Sequence, residues 1–106
     1  MQPSIEEIRE RLTRAFHADA TKGMHRVYQF HTGDDARFHL EISDGNLLVS
    51  PGSHAKPSVT MLFPDAETAL ALLEGRLDPM QAFLNGQIRS DGNLILALQL
   101  GGLFWR

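Results

Sequence analysis

The chain has 106 residues, 42% of them hydrophobic, which suits a single domain spanning residues 1–106 with one core and leaves no room for a second. Its net charge of -3, with lysine and arginine scattered singly, excludes the basic footprint of a nucleic-acid binder. The lack of cysteine excludes disulfides, thiolate metal sites and a cysteine nucleophile.

The first residues, Met1-Gln2-Pro3-Ser4-Ile5-Glu6-Glu7, are too charged for a signal peptide. No stretch approaches the roughly 20 apolar residues of a membrane span. A cytoplasmic protein is expected. The last residues, Leu103-Phe104-Trp105-Arg106, do not form the Ser-Lys-Leu peroxisomal address.

Ser4 followed by Glu7 forms a capping-box pattern, and Ile5, Ile8, Leu12, Ala15 and Phe16 then recur at helical spacing, which predicts an amphipathic helix from residue 5 to about 20. The opposite face, with Glu6, Arg9, Glu10, Arg11 and Arg14, reads as a solvated surface of mixed charge rather than a basic membrane-surface helix.

From His25 the period becomes two. Tyr28 and Phe30 alternate with Gln29 and His31, Gly33-Asp34-Asp35 supplies a turn, and Phe38, Leu40 and Ile42 alternate with His39 and Glu41. This predicts a hairpin with one dry face. Asp44-Gly45-Asn46 is a second tight turn before Leu47-Leu48-Val49, and a loop at Pro51-Gly52-Ser53 precedes Val59, Met61 and Phe63. The expected arrangement is a meander of four antiparallel strands.

After Pro64 the signals are helical. Asp65 is an N-cap, Ala66 to Glu74 are good helix formers, and Gly75 stands where a left-handed C-terminal residue belongs. Asp78-Pro79 starts a second short helix that Asn85-Gly86 stops. Ile88-Arg89-Ser90 is long enough for one edge strand, and Asp91-Gly92-Asn93 opens a C-terminal helix near Leu94.

In that last helix Leu94, Ile95, Leu96, Ala97, Leu98, Leu100, Leu103, Phe104 and Trp105 leave almost no polar face. An ordinary surface helix carries an apolar stripe about 100° wide, so this one needs apolar matter on more than one side: core, partner chain or ligand. Gly101-Gly102 in mid-run costs about 1 kcal/mol per glycine against alanine. The helix is therefore expected to end there, with Leu103-Phe104-Trp105 folding back.

The run Pro57-Ser58-Val59-Thr60-Met61, Asp65, Leu73-Glu74-Gly75-Arg76-Leu77-Asp78-Pro79-Met80-Gln81-Ala82-Phe83, Gly86, Ile88 and Gly92-Asn93, with the leucine-rich end, resembles the sterol-carrier-protein-2 domain. The motif covers residues 57–106; before it, only the leading helix and the alternating strands agree. The resemblance implies an α+β fold: a five-stranded, mainly antiparallel sheet with helices packed on one face and an apolar tunnel between the layers. It implies binding, transfer or presentation of a fatty acid, acyl-CoA, sterol or isoprenoid, with no catalytic residue, no metal and no cofactor. A related role, as in bacterial ubiquinone biosynthesis, is an accessory module that presents lipid to partner enzymes.

The tunnel-facing residues expected on that basis are Phe38, Leu40, Met61 and Phe63 from the sheet, then Leu73, Met80, Phe83 and Leu84 from the short helices, and Ile88. Ile95, Leu98, Leu103, Phe104 and Trp105 complete the set, the last three over one mouth. A buried chain of about 16 carbons gains ~0.8 kcal/mol per methylene, an upper limit of ~12 kcal/mol before ordering costs, so no charged anchor is required. Arg76 and Arg89, with Gln87 and Gln99, are the nearest head-group donors in sequence, against their ordinary role as solvated surface.

Five histidines, His17, His25, His31, His39 and His54, show no metal-pair spacing, and no Gly-x-Ser-x-Gly elbow or phosphate loop occurs. Exposed histidines on the polar face of a sheet are expected, and Asp34-Asp35 is turn chemistry. Besides lipid, the expected partners are a transiently touched membrane, a second copy of the chain as a homodimer, or a partner enzyme, and no nucleic acid.

Overall fold

The capping box forms. Ser4 is extended and its hydroxyl accepts the Glu7 N–H at 3.1 Å, so helix α1 (Ile5–Ala15) begins at Ile5 in the computed structural model, which describes residues 3–33 and 36–104. Ile8 and Leu12 are its buried stripe. The helix stops short of residue 20 because Phe16 turns extended and lays its ring 5.5 Å from that of Phe104. A 3₁₀ turn, Ala18–Thr21, follows. The charged face of α1 is also less solvated than the sequence suggests: Arg9 donates from Nε and Nη2 to the Val49 carbonyl, at 3.2 and 2.9 Å.

Strands β1 (His25–Thr32), β2 (Ala36–Ser43), β3 (Asn46–Pro51), β4 (Val59–Phe63) and β5 (Arg89–Gly92) form one sheet in the order β3-β2-β1-β4-β5. Asp44 and Gly45 both have positive φ, 46° and 86°, as the two-residue turn of a twisted hairpin demands. The expected turn at Gly33-Asp34-Asp35 falls largely outside the described residues.

The four-strand meander is corrected. β4 lies beside β1, parallel to it, with Tyr28 opposite Val59 and Phe30 opposite Met61, while the other three pairings are antiparallel. Alternation fixes which face of a strand is dry and not which neighbour it joins. The 52–58 segment crosses the outer face of β2 and β1 to make this connection. Gln29, buried under it, donates from Nε2 to the carbonyls of Phe38 and Gly52 at 3.1 and 3.2 Å and accepts the His54 N–H at 2.7 Å.

Helices α2 (Ala66–Leu73), α3 (Pro79–Leu84) and α4 (Leu94–Gln99) start at the expected caps. Asp65 accepts from the Thr68 N–H and hydroxyl, both at 2.7 Å, and Asn93 from the N–H groups of Ile95 and Leu96; each such cap contributes about 1 kcal/mol. Gly75 and Gly86, at φ 79° and 76°, end α2 and α3, with Arg76 and Gln87 N–H returning to the carbonyls of Ala71 and Ala82.

The helices cover the face carrying Tyr28, Phe30, Leu40, Ile42, Val59 and Met61, all of them fully or almost fully buried. Three rings stack in a row across that face: Phe30 lies 4.8 Å from Phe38 and 5.3 Å from Phe63. The fold is α+β, with a mainly antiparallel five-stranded sheet and its helices on one side.

Candidate functional site

Phe38, Leu40, Met61, Phe63, Leu73, Ile88, Leu103 and Phe104 share one buried apolar cluster between sheet and helices. Phe83 packs against its margin. Met80, Leu84, Ile95 and Leu98 instead face outward, with 44–75% of their surface exposed, and Trp105 lies outside the described residues. Of the coverings expected for this helix, the chain's own core supplies one side: only Ala97 in α4 is buried, and Leu94 faces outward with Ile95 and Leu98.

The tail past α4 is likewise different from a flap over a mouth. It tightens into a 3₁₀ turn, Leu100–Leu103, and continues into the core, where Phe104 meets Phe16 and the Leu103 carbonyl accepts the His17 N–H at 2.9 Å. The turn frees the Leu96 carbonyl from a regular helical partner, and the buried Tyr28 hydroxyl donates to it at 2.9 Å. Burial pushes the Tyr28 phenol up, against the opposing effect of Arg26 nearby.

Where the resemblance implies a tunnel, the side chains of Leu40, Met61 and Leu73 are packed with none of their surface exposed. The described residues outline surface clefts. One, of about 580 Å³, runs along Phe16–Ala20. A second, of about 420 Å³, is bounded by Met24, Arg26, Leu98, Gln99, Gly102 and Leu103. A third, of about 380 Å³, brings Arg89 and Gln87 beside Leu62, Phe63, Pro64 and Gly86. Of the basic residues singled out in sequence, Arg76 is committed elsewhere: its Nη2 sits 2.7 Å from the Glu74 carboxylate.

His39 corrects the expectation of exposed histidines. It projects from the outer face as expected, yet the crossing loop buries it to 8% exposure. Its Nδ1 lies 3.1 Å from the Gly52 carbonyl, which can only accept, so that nitrogen carries the proton. Its ring meets His54 edge-on at 5.3 Å, and Glu41 approaches both. His31, half-buried on the same face, has its pKa lowered by desolvation and by Arg37. Among the described residues no group of three histidine, aspartate or glutamate side chains is disposed to hold a metal, and no helix is long and apolar enough to cross a membrane.

Sequence reasoning missed Arg26, Gln29 and the Tyr28–Leu96 link. Arg26 follows His25 at the start of β1, where a polar residue signals nothing. Gln29 occupies an alternating polar position, and only the crossing loop makes it interior.

The sequence profile of the SCP-2 sterol transfer family matches residues 5–105. Sterol carrier protein 2 of Bos taurus is 32% identical over 71 residues, which is 67% of this chain and 13% of that protein, so the chain spans a small part of the curated relative. Among solved structures, a double mutant of the sec-alkyl sulfatase PisA1 superposes with a TM-score of 0.79 at 20% identity, covering 98% of this chain and 17% of that one. The palmitated sterol carrier protein 2-like 2 of Aedes aegypti gives a TM-score of 0.70 at 19% identity, covering 96% and 93%. The UbiJ-SCP2 ubiquinone synthesis protein gives 0.72 at 15% identity, covering 93% and 90%. At these identities the structural likeness shows a shared fold, and the match along nearly the whole sequence does the rest: the chain belongs to the SCP-2 sterol transfer family.

Proposed function

We propose that the protein binds a lipid in the apolar layer between sheet and helices and transfers or presents it, without covalent chemistry and in the cytoplasm. The family match over residues 5–105 carries this reading. The composition of the layer supports it: Phe38, Leu40, Met61, Phe63, Leu73 and Ile88 form one apolar surface that a fatty acid, acyl-CoA, sterol or isoprenoid chain enters by displacing side chains, with Met61 an adaptable filler. The Aedes protein carries palmitate, which makes a 16-carbon acid the first ligand to try. Solvent extraction of the purified protein followed by mass spectrometry, with displacement of a fluorescent fatty acid, tests the reading. A protein that is empty and binds no lipid overturns it.

A second reading is an accessory module that presents lipid to a partner enzyme. The outward apolar residues Leu94, Ile95 and Leu98 on α4 and Met80 and Leu84 on α3 favour it, because such side chains gain from being covered. Light scattering across a concentration series separates the two: a strict monomer with a bound lipid supports the carrier, and self-association through these residues supports the module.

A further inference from the structure

Among the described residues nothing requires Gly102 to be glycine: its φ is not in the left-handed region, and a Cβ built on it meets none of them within 4 Å. A side chain there would reinforce a weak helical end. Its absence leaves open the cleft of about 420 Å³ between the start of β1 and the end of α4, a size within the roughly 300–1,000 Å³ of small-molecule pockets.

The lining of that cleft is divided in character. Leu98, Leu103 and Met24 are apolar, while Arg26 and Gln99 are donors. Arg26 is half-buried, and among the described residues it forms no ion pair, whereas Arg11 and Arg76 are shared among Glu7, Glu67 and Glu74. The one hydrogen bond the Arg26 side chain makes among the described residues runs from Nη1 to the Tyr28 hydroxyl at 3.3 Å, and that hydroxyl in turn donates to the Leu96 carbonyl. Among the described residues the guanidinium is thus tethered at the cleft by a neutral group, with no carboxylate against it.

We propose that this cleft seats the carboxylate head of a single-chain amphiphile, with Arg26 as its counter-ion, Gln99 as a neutral donor, Leu98 and Leu103 against the first methylenes, and Gly102 giving the room. The assignment rests on the lipid-binding reading and names the head group within it. One planar guanidinium fork matches one carboxylate in a two-point contact, whereas a head with several phosphate charges needs several cations. Among the described residues the cleft holds one.

The test uses displacement of a fluorescent fatty acid from the whole protein by palmitate, hexadecanol and hexadecyl phosphate. Wild-type protein is expected to prefer palmitate over hexadecanol about tenfold, the scale of a hydrogen bond to a charged group, and Arg26→Gln is expected to bring that ratio close to one. Gly102→Leu is expected to weaken palmitate binding with no fall in thermal midpoint, since its Cβ meets none of the described atoms within 4 Å and the rest of the side chain extends into the cleft. Retention of the full preference by Arg26→Gln overturns the proposal, as does undiminished palmitate binding by Gly102→Leu. Hexadecyl phosphate competing better than palmitate overturns the carboxylate assignment. If none of the three ligands displaces the probe, the lipid-binding reading itself fails, and this proposal with it.

Discussion

Arg11 grips both carboxylate oxygens of Glu74, from Nε at 2.9 Å and Nη2 at 2.7 Å, and so fastens α1 to the end of α2 across 63 positions of sequence. Its remaining nitrogen reaches Glu67 at 3.1 Å and Glu7 at 3.4 Å, and Arg76 approaches Glu74 from the far side at 2.7 Å. A two-point contact inside a network contributes more than an isolated surface pair. Arg11→Ala is expected to cost about 1–2 kcal/mol, read as a lower urea midpoint with an unchanged slope.

The same contact has a pH signature. The Arg11 hydrogen bond, opposed by desolvation and helped by Arg76, holds the Glu74 carboxyl well below its ordinary 4.5, at about 2. A folded-state value lower than the unfolded one adds stability that is fully present above about pH 4.5 and is lost as pH falls toward 2. Stability measured down this range should fall more steeply for wild type than for Glu74→Gln, which has no proton to take up at this position. Parallel pH profiles would show that some other carboxylate dominates.

Gln29 is the peg of the crossing loop, using both ends of its amide on backbone groups of β2 and the 52–58 segment. Gln29→Leu keeps the bulk but leaves the His54 N–H and two carbonyls without these partners, a loss of about 2–3 kcal/mol. Hydrogen exchange at the His54 amide, in the same segment, is the local readout and should accelerate beyond what the global loss explains.

α4 and the turn after it offer two large apolar residues with opposite surroundings. Ile95 is 65% exposed and Leu100 fully buried. Leu100→Ala is expected to cost about 2–5 kcal/mol through the cavity it leaves, and Ile95→Lys to stay within about 0.5 kcal/mol of wild type. Thermal unfolding of the pair decides it; a large loss at Ile95 would mean that the outer face of α4 is covered in solution.

The elements whose signals are local were legible in sequence. Ser4, Asp65, Asp78 and Asn93 cap the helices they were expected to cap, and Gly75 and Gly86 stop theirs, because a cap or a left-handed glycine acts within four residues. Partner choice was not legible: nothing in Val59, Met61 and Phe63 says that β4 seeks β1 rather than β3. Burial within the candidate site was half legible. Leu103 and Phe104 share an apolar run with Ile95 and Leu98, yet the 3₁₀ tightening sends the first pair inward and leaves the second pair in water. Arg26 became visible only once α4 was placed beside it.

The parallel pairing of β1 with β4 also governs how the chain assembles. The hairpins of β1, β2 and β3 close over short turns, whereas Tyr28 meets Val59 only after the intervening segment has been gathered. Such a non-local closure is slow relative to the hairpins because its entropy must be met before its contacts form. β1 is therefore a seam between two halves of unequal character. One carries little motif and zips early; the other carries the family signature and has no sheet to join until β1 is in place.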